Sequence, residues 1–175
     1  MKHFSRILSA ILLLGIIPLT NCSKSEDDPC GEIVTGKWEQ FNYVLAWFDP
    51  DFRKAEFMCE ATATNMCVEE LVDVSAYVRL ADVEDYIDNV LAEVIIGGSW
   101  TPDMDMNFVN EEPHFYWTGA RSYNLKQGYS TGPGSLTVQL KFYVEADTEA
   151  EAWELFNASF TYAKIEMTYY AYKEP

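Results

Sequence analysis

Two stretches of the chain alternate strictly between apolar and polar residues, and no other feature of the sequence constrains the fold as much. Valine, alanine and leucine occupy every second position of residues 72–80, and leucine, valine and phenylalanine do the same over 136–144. Successive side chains of a β-strand point to opposite faces, so a period of two predicts a strand with one buried face. Both segments must therefore lie in sheets that cover a core.

Three further segments carry the aromatic and β-branched residues typical of strands, over 35–48, 52–58 and 159–172, and an Asp-Pro-Asp turn at 49–51 ends the first of them. With 175 residues and 49% hydrophobic content, the chain is long and apolar enough to fold rather than to stay disordered. The sequence therefore predicts a domain built mainly of antiparallel strands.

Two other segments carry helical signals. Apolar residues over 82–96 recur at a spacing of 3.6, between an aspartate cap and the Gly-Gly pair at 97–98. The residues at this spacing are Val83, Tyr86, Ile87, Val90, Leu91, Val94 and Ile95, and all of them except Tyr86 and Ile95 are predicted to bury one stripe of the helix against the sheet. Thr148 followed by Glu151 fits a capping box and predicts a short helix over about 148–157. The predicted fold class is α+β, a mainly antiparallel sheet with two helices.

The first 21 residues predict a secretory signal peptide. A basic start is followed by the apolar run Ile7 to Leu19, which is too short to span a bilayer, since a spanning helix needs about 20 apolar residues. The segment ends in Leu-Thr-Asn-Cys at 19–22, which resembles the lipobox of bacterial lipoproteins. That resemblance implies that Cys22 becomes the mature N-terminus and carries lipid, palmitate included.

An acidic, serine-containing segment follows, so residues 22–34 are predicted to be a flexible tether and residues 35–175 a single globular domain. The stretch Ser-Lys-Ser-Glu-Asp-Asp at 23–28 resembles the surface-export signal of Bacteroidota lipoproteins. The resemblance implies a protein anchored in the outer membrane and exposed at the cell surface. An anchor that faces the periplasm is the alternative.

The cysteine count allows one disulfide. Of the four cysteines, Cys22 is assigned to lipid, which leaves Cys30, Cys59 and Cys67 in an oxidising compartment. Cys59 and Cys67 lie eight residues apart and are predicted to pair, whereas a bridge from Cys30 to the body of the domain is the alternative. No CxxC pair is present, so no zinc site is predicted.

Charge and motifs exclude several function classes. Loss of the signal peptide removes two basic residues and no acidic ones, which takes the formal charge from −16 to −18 and excludes nucleic acid as a partner. The GxGxxG, GxxxxGK[ST], HExxH and GxSxG motifs are absent, so no cofactor and no catalytic residue is predicted. A hydrolase that uses His114 or a carboxylate pair is one alternative, and calcium binding by Asp103, Asp105 and Glu111 is another.

Aromatic residues are the most suggestive functional feature. Five Trp, 11 Tyr and 10 Phe exceed what a core of this size needs, and Trp and Tyr suit recognition surfaces. Trp47, Trp100, Tyr116 and Trp117 lie near predicted turns and are the predicted ligand-binding residues. The predicted function is a non-catalytic cell-surface binding module for an extracellular glycan or protein. A structural or adhesive, pilus-type component is the alternative, and it requires an unpaired strand edge.

A second resemblance suggests another fold. Gly36-Lys37-Trp38, at the start of the first predicted strand, resembles the GxW motif of lipocalin-like barrels. The resemblance implies an all-β barrel with Trp38 closing one end, as the alternative to the α+β domain.

Lipidation of Cys22 is directly testable. Metabolic labelling with a clickable fatty acid should mark the wild-type protein, because the lipobox cysteine is the residue to which the acyl chains are attached. The Cys22→Ala variant should carry no label. Label retained in that variant would show that the anchor lies elsewhere or that the label is nonspecific.

Overall fold

The structure is a computed structural model that describes residues 28–81, 87–111 and 114–174. Within these ranges the chain forms ten β-strands, one α-helix and a short 3₁₀ turn at 125–127. The first five strands are β1 (Cys30–Trp38), β2 (Val44–Asp49), β3 (Lys54–Cys67), β4 (Leu71–Leu80) and β5 (Ile87–Ile96). The others are β6 (Ser99–Trp100), β7 (Asn107–Glu111), β8 (His114–Asn124), β9 (Pro133–Glu145) and β10 (Phe160–Tyr172), with the helix α1 (Glu149–Ser159) between the last two.

The strands form two antiparallel groups. Layer 1 has the order β1-β10-β4-β8-β7, and layer 2 has the order β2-β3-β9-β5-β6. The two layers are joined where Ala171 of β10 pairs with Met66 of β3. The result is one hydrogen-bonded path that curls into a half-barrel.

The core lies inside the half-barrel. The predicted strands at 72–80 and 136–144 are confirmed as parts of β4 and β9, and every second residue of each is buried. Side chains from both layers belong to one buried cluster. Since burial of a Val, Leu or Phe side chain contributes about 1.5–3 kcal/mol, these inward rows are the main stabilising feature of the fold.

Helix α1 closes one end of the half-barrel with aromatic rings. The Phe156 ring stacks on Phe57 of β3 at 4.3 Å and on Phe160 of β10 at 5.4 Å between centroids. Thr148 caps the helix, as the capping box predicts, because its Oγ1 accepts a hydrogen bond from the Glu151 backbone N–H at 3.2 Å. This helix therefore bridges the two layers.

The helix predicted over 82–96 is wrong for its described part, because residues 87–96 form strand β5. Val90, Ala92, Val94 and Ile96 are buried with a period of two, whereas Leu91 is only half-buried. The pairing with β9 shifts between Ile87 and Asn89, so one extra residue separates Ile87 from the regular alternation. That shift places buried residues three apart and produces the helical spacing. Residues 82–86, including Val83, lie outside the described residues.

The disulfide prediction is also wrong. Cys30 is bonded to Cys67, and Cys59 is a free, buried thiol on the inner face of β3. Strand β1 begins at Cys30 rather than at residue 35, because its pairing with β10 reaches back to Tyr172. The end of the predicted tether is therefore part of the folded domain. Cys59 and Cys67 do not pair because both lie on one extended strand, β3, which holds them apart. Their spacing in the sequence does not show whether the segment between them is a strand or a turn.

Within the described residues the fold is thus mostly antiparallel β with one helix, which confirms the predicted mainly antiparallel sheet but not the two helices of the predicted α+β domain. The lipocalin-like alternative is not supported either, because an up-and-down barrel pairs each strand with its neighbours in sequence. In the described ranges such pairing occurs only for β2 with β3, β5 with β6 and β7 with β8. Trp38 of the GxW motif lies over Gly36 and packs partly against the core.

The segment between β6 and β7 crosses the gap between the two layers. The Met104 backbone N–H donates to the Ala92 carbonyl at 2.9 Å, which ties the segment to layer 2. Arg121 of β8 donates to the Asp103 carbonyl at 2.8 Å, which ties it to layer 1. Within the described ranges, no helix combines the length and the apolar character that crossing a bilayer requires.

Opposite faces of β5 should respond differently to a buried charge. Val94→Asp should destabilise the protein by several kcal/mol or prevent folding, because Val94 is fully buried and the carboxylate would have no partner. Leu91→Asp should cost far less, because Leu91 is half-buried and lies opposite Lys141. Urea denaturation midpoints measure both changes. Equal effects at the two positions would contradict the assignment of this segment to a strand.

Thiol chemistry tests the cysteine pairing. In a Cys22→Ser background, the folded protein should not react with a thiol reagent at about pH 8, since burial raises the pKa of Cys59 to about 12. Denaturant without reductant should release one reactive thiol, and peptide mapping should join Cys30 to Cys67. A linked Cys59–Cys67 peptide would overturn the assignment.

Candidate functional site

The four aromatic residues predicted to bind ligand do not form one site. Trp47 and Trp100 are 41% and 61% exposed and lie on the outer surface of layer 2, called face 2. Tyr116 lies on the outer surface of layer 1, called face 1. Trp117 faces the interior and packs against the core and Phe108, at 5.2 Å between ring centroids.

Face 2 has a charged centre in which one lysine lies between two carboxylates. Lys141 Nζ lies 2.8 Å from a Glu93 oxygen and 3.8 Å from a Glu56 oxygen, and 5.6 Å from the centroid of the Trp100 ring. Burial, together with the hydrogen bond that Tyr143 donates to Glu56, raises the pKa of Tyr143 to about 12. The one lysine at this centre is therefore already held between two carboxylates and a ring.

The two tryptophans of face 2 stand at its opposite edges. Trp47 lies on β2 beside Glu56, and Trp100 lies on the short strand β6. The hairpin that carries Trp100 turns at Gly97 and Gly98, whose φ angles of 59° and 77° suit the tight turns that join antiparallel strands. Four strand spacings of about 4.8 Å separate β2 from β6, so the two rings belong to opposite edges of face 2.

Face 1 is organised by strand register into four rows across β10, β4 and β8. The row members in that order are Thr168, Asp73 and Ser122; Glu166, Ser75 and Ala120; Lys164, Tyr77 and Thr118; Tyr162, Arg79 and Tyr116. Small side chains fill the second row apart from Glu166. The floor is therefore low at Ser75 and Ala120, and the larger side chains of the third and fourth rows rise on one side of it.

Two adjoining concavities occupy this floor. One, of about 320 Å³, is lined by Asp73, Ser75, Ser122 and Glu166 among others. The second, of about 400 Å³, also includes Ser75 and is lined by Tyr77, Tyr162 and Lys164. Both volumes are in the range of small-molecule sites. The two concavities adjoin at Ser75 and are together called the face-1 groove.

Tyrosines form one end of the groove. The Tyr77 ring lies 5.1 Å from Tyr116 and 6.2 Å from Tyr162 between centroids. The Tyr162 hydroxyl donates to the Glu39 carboxylate, and partial burial with this hydrogen bond raises the pKa of Tyr162. The Tyr162 hydroxyl is therefore held as a donor to Glu39, and the tyrosine rings present flat apolar surface next to it.

Carboxylates and hydroxyls form the other end. Ser122 Oγ donates to Asp73 Oδ1 at 2.5 Å, which fixes the orientation of that carboxylate. A hydrogen bond from Lys164 at 3.3 Å and the nearby Lys37 hold the pKa of Glu166 below its usual value. This end consequently offers acceptor oxygens next to Ser and Thr hydroxyls.

Most residues of this groove carry no signal in the sequence that would mark them as a site. Asp73, Ser75 and Tyr77 were visible as the polar positions of the alternating strand 72–80. Their partners on β8 and β10 lie about 40 to 95 residues away along the chain, and only the register of the sheet brings them together. Of the predicted site residues, Tyr116 alone belongs to this face.

The hydrolase and calcium alternatives gain no support. His114 is the first residue of β8, but its side chain lies outside the described residues, as do Glu112 and Pro113. No group of three or more His, Cys, Asp or Glu residues within the described ranges is arranged to hold a metal ion, so Asp103, Asp105 and Glu111 do not converge.

Comparison of the chain with protein-family models, with curated proteins and with solved structures gave no match.

Proposed function

We propose that the protein is a non-catalytic, lipid-anchored binding module of the cell surface, and that the face-1 groove binds its ligand. The observation that carries the proposal is the groove itself, in which aromatic rings at one end adjoin carboxylates and hydroxyls at the other. Ligand sites typically combine apolar surface with a few oriented polar groups. Neither a catalytic motif nor a cofactor is needed for this role.

A neutral glycan is the ligand class that fits these groups best. A sugar ring has an apolar face, which can stack on Tyr77 or Tyr162, and an edge of hydroxyls, which can donate to Asp73 and Glu166. The formal charge of −16 disfavours anionic polymers, because like charges repel over the Debye length of about 8–10 Å. Uronic acids and sulfated sugars are therefore poor candidates.

The proposed anchor is compatible with the position of the groove. The chain enters the domain beside the end of β10, where the Lys173 backbone N–H donates to the Pro29 carbonyl at 2.8 Å and Cys30 is bonded to Cys67. Tyr162 lies ten residues back along β10, about 33 Å away for an extended strand. A lipid at Cys22 would thus leave the tyrosine end of the groove on the far side from the membrane.

The adhesive alternative has one supporting observation. Strand β1 lies at the edge of layer 1, and its Ile33 and Val34 are 59% and 37% exposed. An exposed apolar edge strand can accept another strand. Oligomers that grow with concentration, in a protein that binds no glycan, would favour this role.

A glycan array with matched variants tests the binding proposal. Wild-type protein should bind neutral glycans, and Tyr77→Ala should weaken binding by about tenfold or more, since loss of a buried large side chain costs about 1.5–3 kcal/mol. Trp100→Ala, on face 2, is the matched control and should bind like the wild type. Thermal melting confirms that both variants fold.

Two results would contradict this assignment. Binding that is lost in Trp100→Ala but kept in Tyr77→Ala would place the site on face 2, where the sequence analysis put two of its candidates. Absence of binding to every glycan would remove the proposed function.

A further inference from the structure

We infer that the face-1 groove takes an extended oligosaccharide of at least two sugar units that lies parallel to β4, and not a single sugar. The inference rests on the proposed function and adds the length and the direction of the ligand. Three properties of the groove support it: the continuity of its floor, the unlike chemistry of its two ends, and its position relative to the chain entry.

The floor is continuous along β4. The two concavities both include Ser75, whose neighbours across the sheet are Ala120 on β8 and Glu166 on β10. The Ala120 side chain is small, so the concavities adjoin on the β8 side, whereas on the β10 side Lys164 donates to Glu166 at 3.3 Å. A ligand in one of them can therefore reach the other along β8.

The dimensions match an extended chain. Two residues of a β-strand advance it by about 7 Å, so the three rows that line the groove on β4, from Asp73 to Tyr77, span about 13 Å. One sugar ring covers only part of this length, and a single unit would leave one end of the groove in contact with water only. Two or more linked units can occupy both ends.

The two ends select different parts of the ligand. At the tyrosine end, Tyr77 and Tyr162 offer ring faces for stacking. At the opposite end, Asp73 is held by Ser122, and the side chain of Thr168 borders the same concavity. We therefore assign ring stacking to the first unit and recognition of hydroxyls to the next.

One end of the groove lies closer than the other to the point where the chain enters the domain. Thr168, in the row of Asp73, pairs with Thr35 of β1, five residues from Cys30. Tyr162 lies at the opposite end of the same strand. A glycan that approaches from outside therefore meets the tyrosine end first and extends toward the end nearest the proposed anchor.

A ligand-length series tests the inference. The probes are neutral oligomers of glucose, mannose, galactose and N-acetylglucosamine, each from one to four units, titrated into the full-length protein by calorimetry. For the series that binds, the dissociation constant should fall at least tenfold from one unit to two. Asp73→Asn should weaken binding of the two-unit and longer probes about tenfold and that of the single sugar less than twofold. Tyr77→Ala should weaken all of them.

A blocking variant gives an independent readout. Ser75→Phe places a ring at the junction of the two concavities. It should remove the gain in affinity between the one-unit and the two-unit probes. Thr62→Phe is the matched control, because Thr62 occupies an outward position on β3 of face 2 and hydrogen-bonds to Thr137 at 2.9 Å. It should leave the length dependence unchanged.

The outcomes distinguish failure of this inference from failure of the proposed function. A single sugar that binds within twofold of its dimer, or an Asp73→Asn effect that is the same at every length, would overturn the inference and leave the proposed function intact. Loss of length dependence in Thr62→Phe as well as in Ser75→Phe would also overturn it. Failure of every probe to bind would overturn both.

Discussion

The structure depends on the burial of the inward rows of layer 1 and layer 2 against each other. Val74 and Val78 of β4, in layer 1, and Val138 and Leu140 of β9, in layer 2, are buried in one cluster. Several other inward positions are alanine, such as Ala61, which lets the two curved layers approach closely. Each large buried side chain contributes about 1.5–3 kcal/mol to the stability of the folded state. The remaining features of the fold therefore depend on these rows. Helix α1 and the Cys30–Cys67 bond then close its two ends.

The same constraint creates the face-1 groove. Once every second residue of β4 faces the core, the residues between them must face outward, which places Asp73, Ser75 and Tyr77 on one line. The last strand, β10, inserts between β1 and β4 and adds its own outward residues beside that line. A polar groove with tyrosines at one end is therefore a consequence of strand order as much as of residue type.

The two outer faces differ in what they leave free for a ligand. On face 2, Lys141 is held by Glu93 and Glu56 and lies near the Trp100 ring, so its charge is neutralised within the chain. On face 1, the carboxylate of Asp73 and the rings of Tyr77 and Tyr162 border open concavities. Exposure of a tryptophan alone therefore does not identify the more suitable surface, since Trp100 and Trp47, which are 61% and 41% exposed, both lie on face 2.

The sequence by itself determined the elements that local rules specify. Alternation predicted β4 and β9, and the capping residue Thr148 predicted α1, because strand pleat and helix caps depend on residues close in the chain. The sequence pattern failed at 87–96, where Val90, Val94 and their neighbours fit both the helical and the strand period. The cause is a β-bulge near the start of this strand, which changes the spacing of the buried residues. Tertiary structure alone decided the pairing of Cys30 with Cys67 and the row that unites Lys164, Tyr77 and Thr118. The physical reason is that both depend on strand order and register, which are set by the packing of the whole core rather than by residues near one another in sequence.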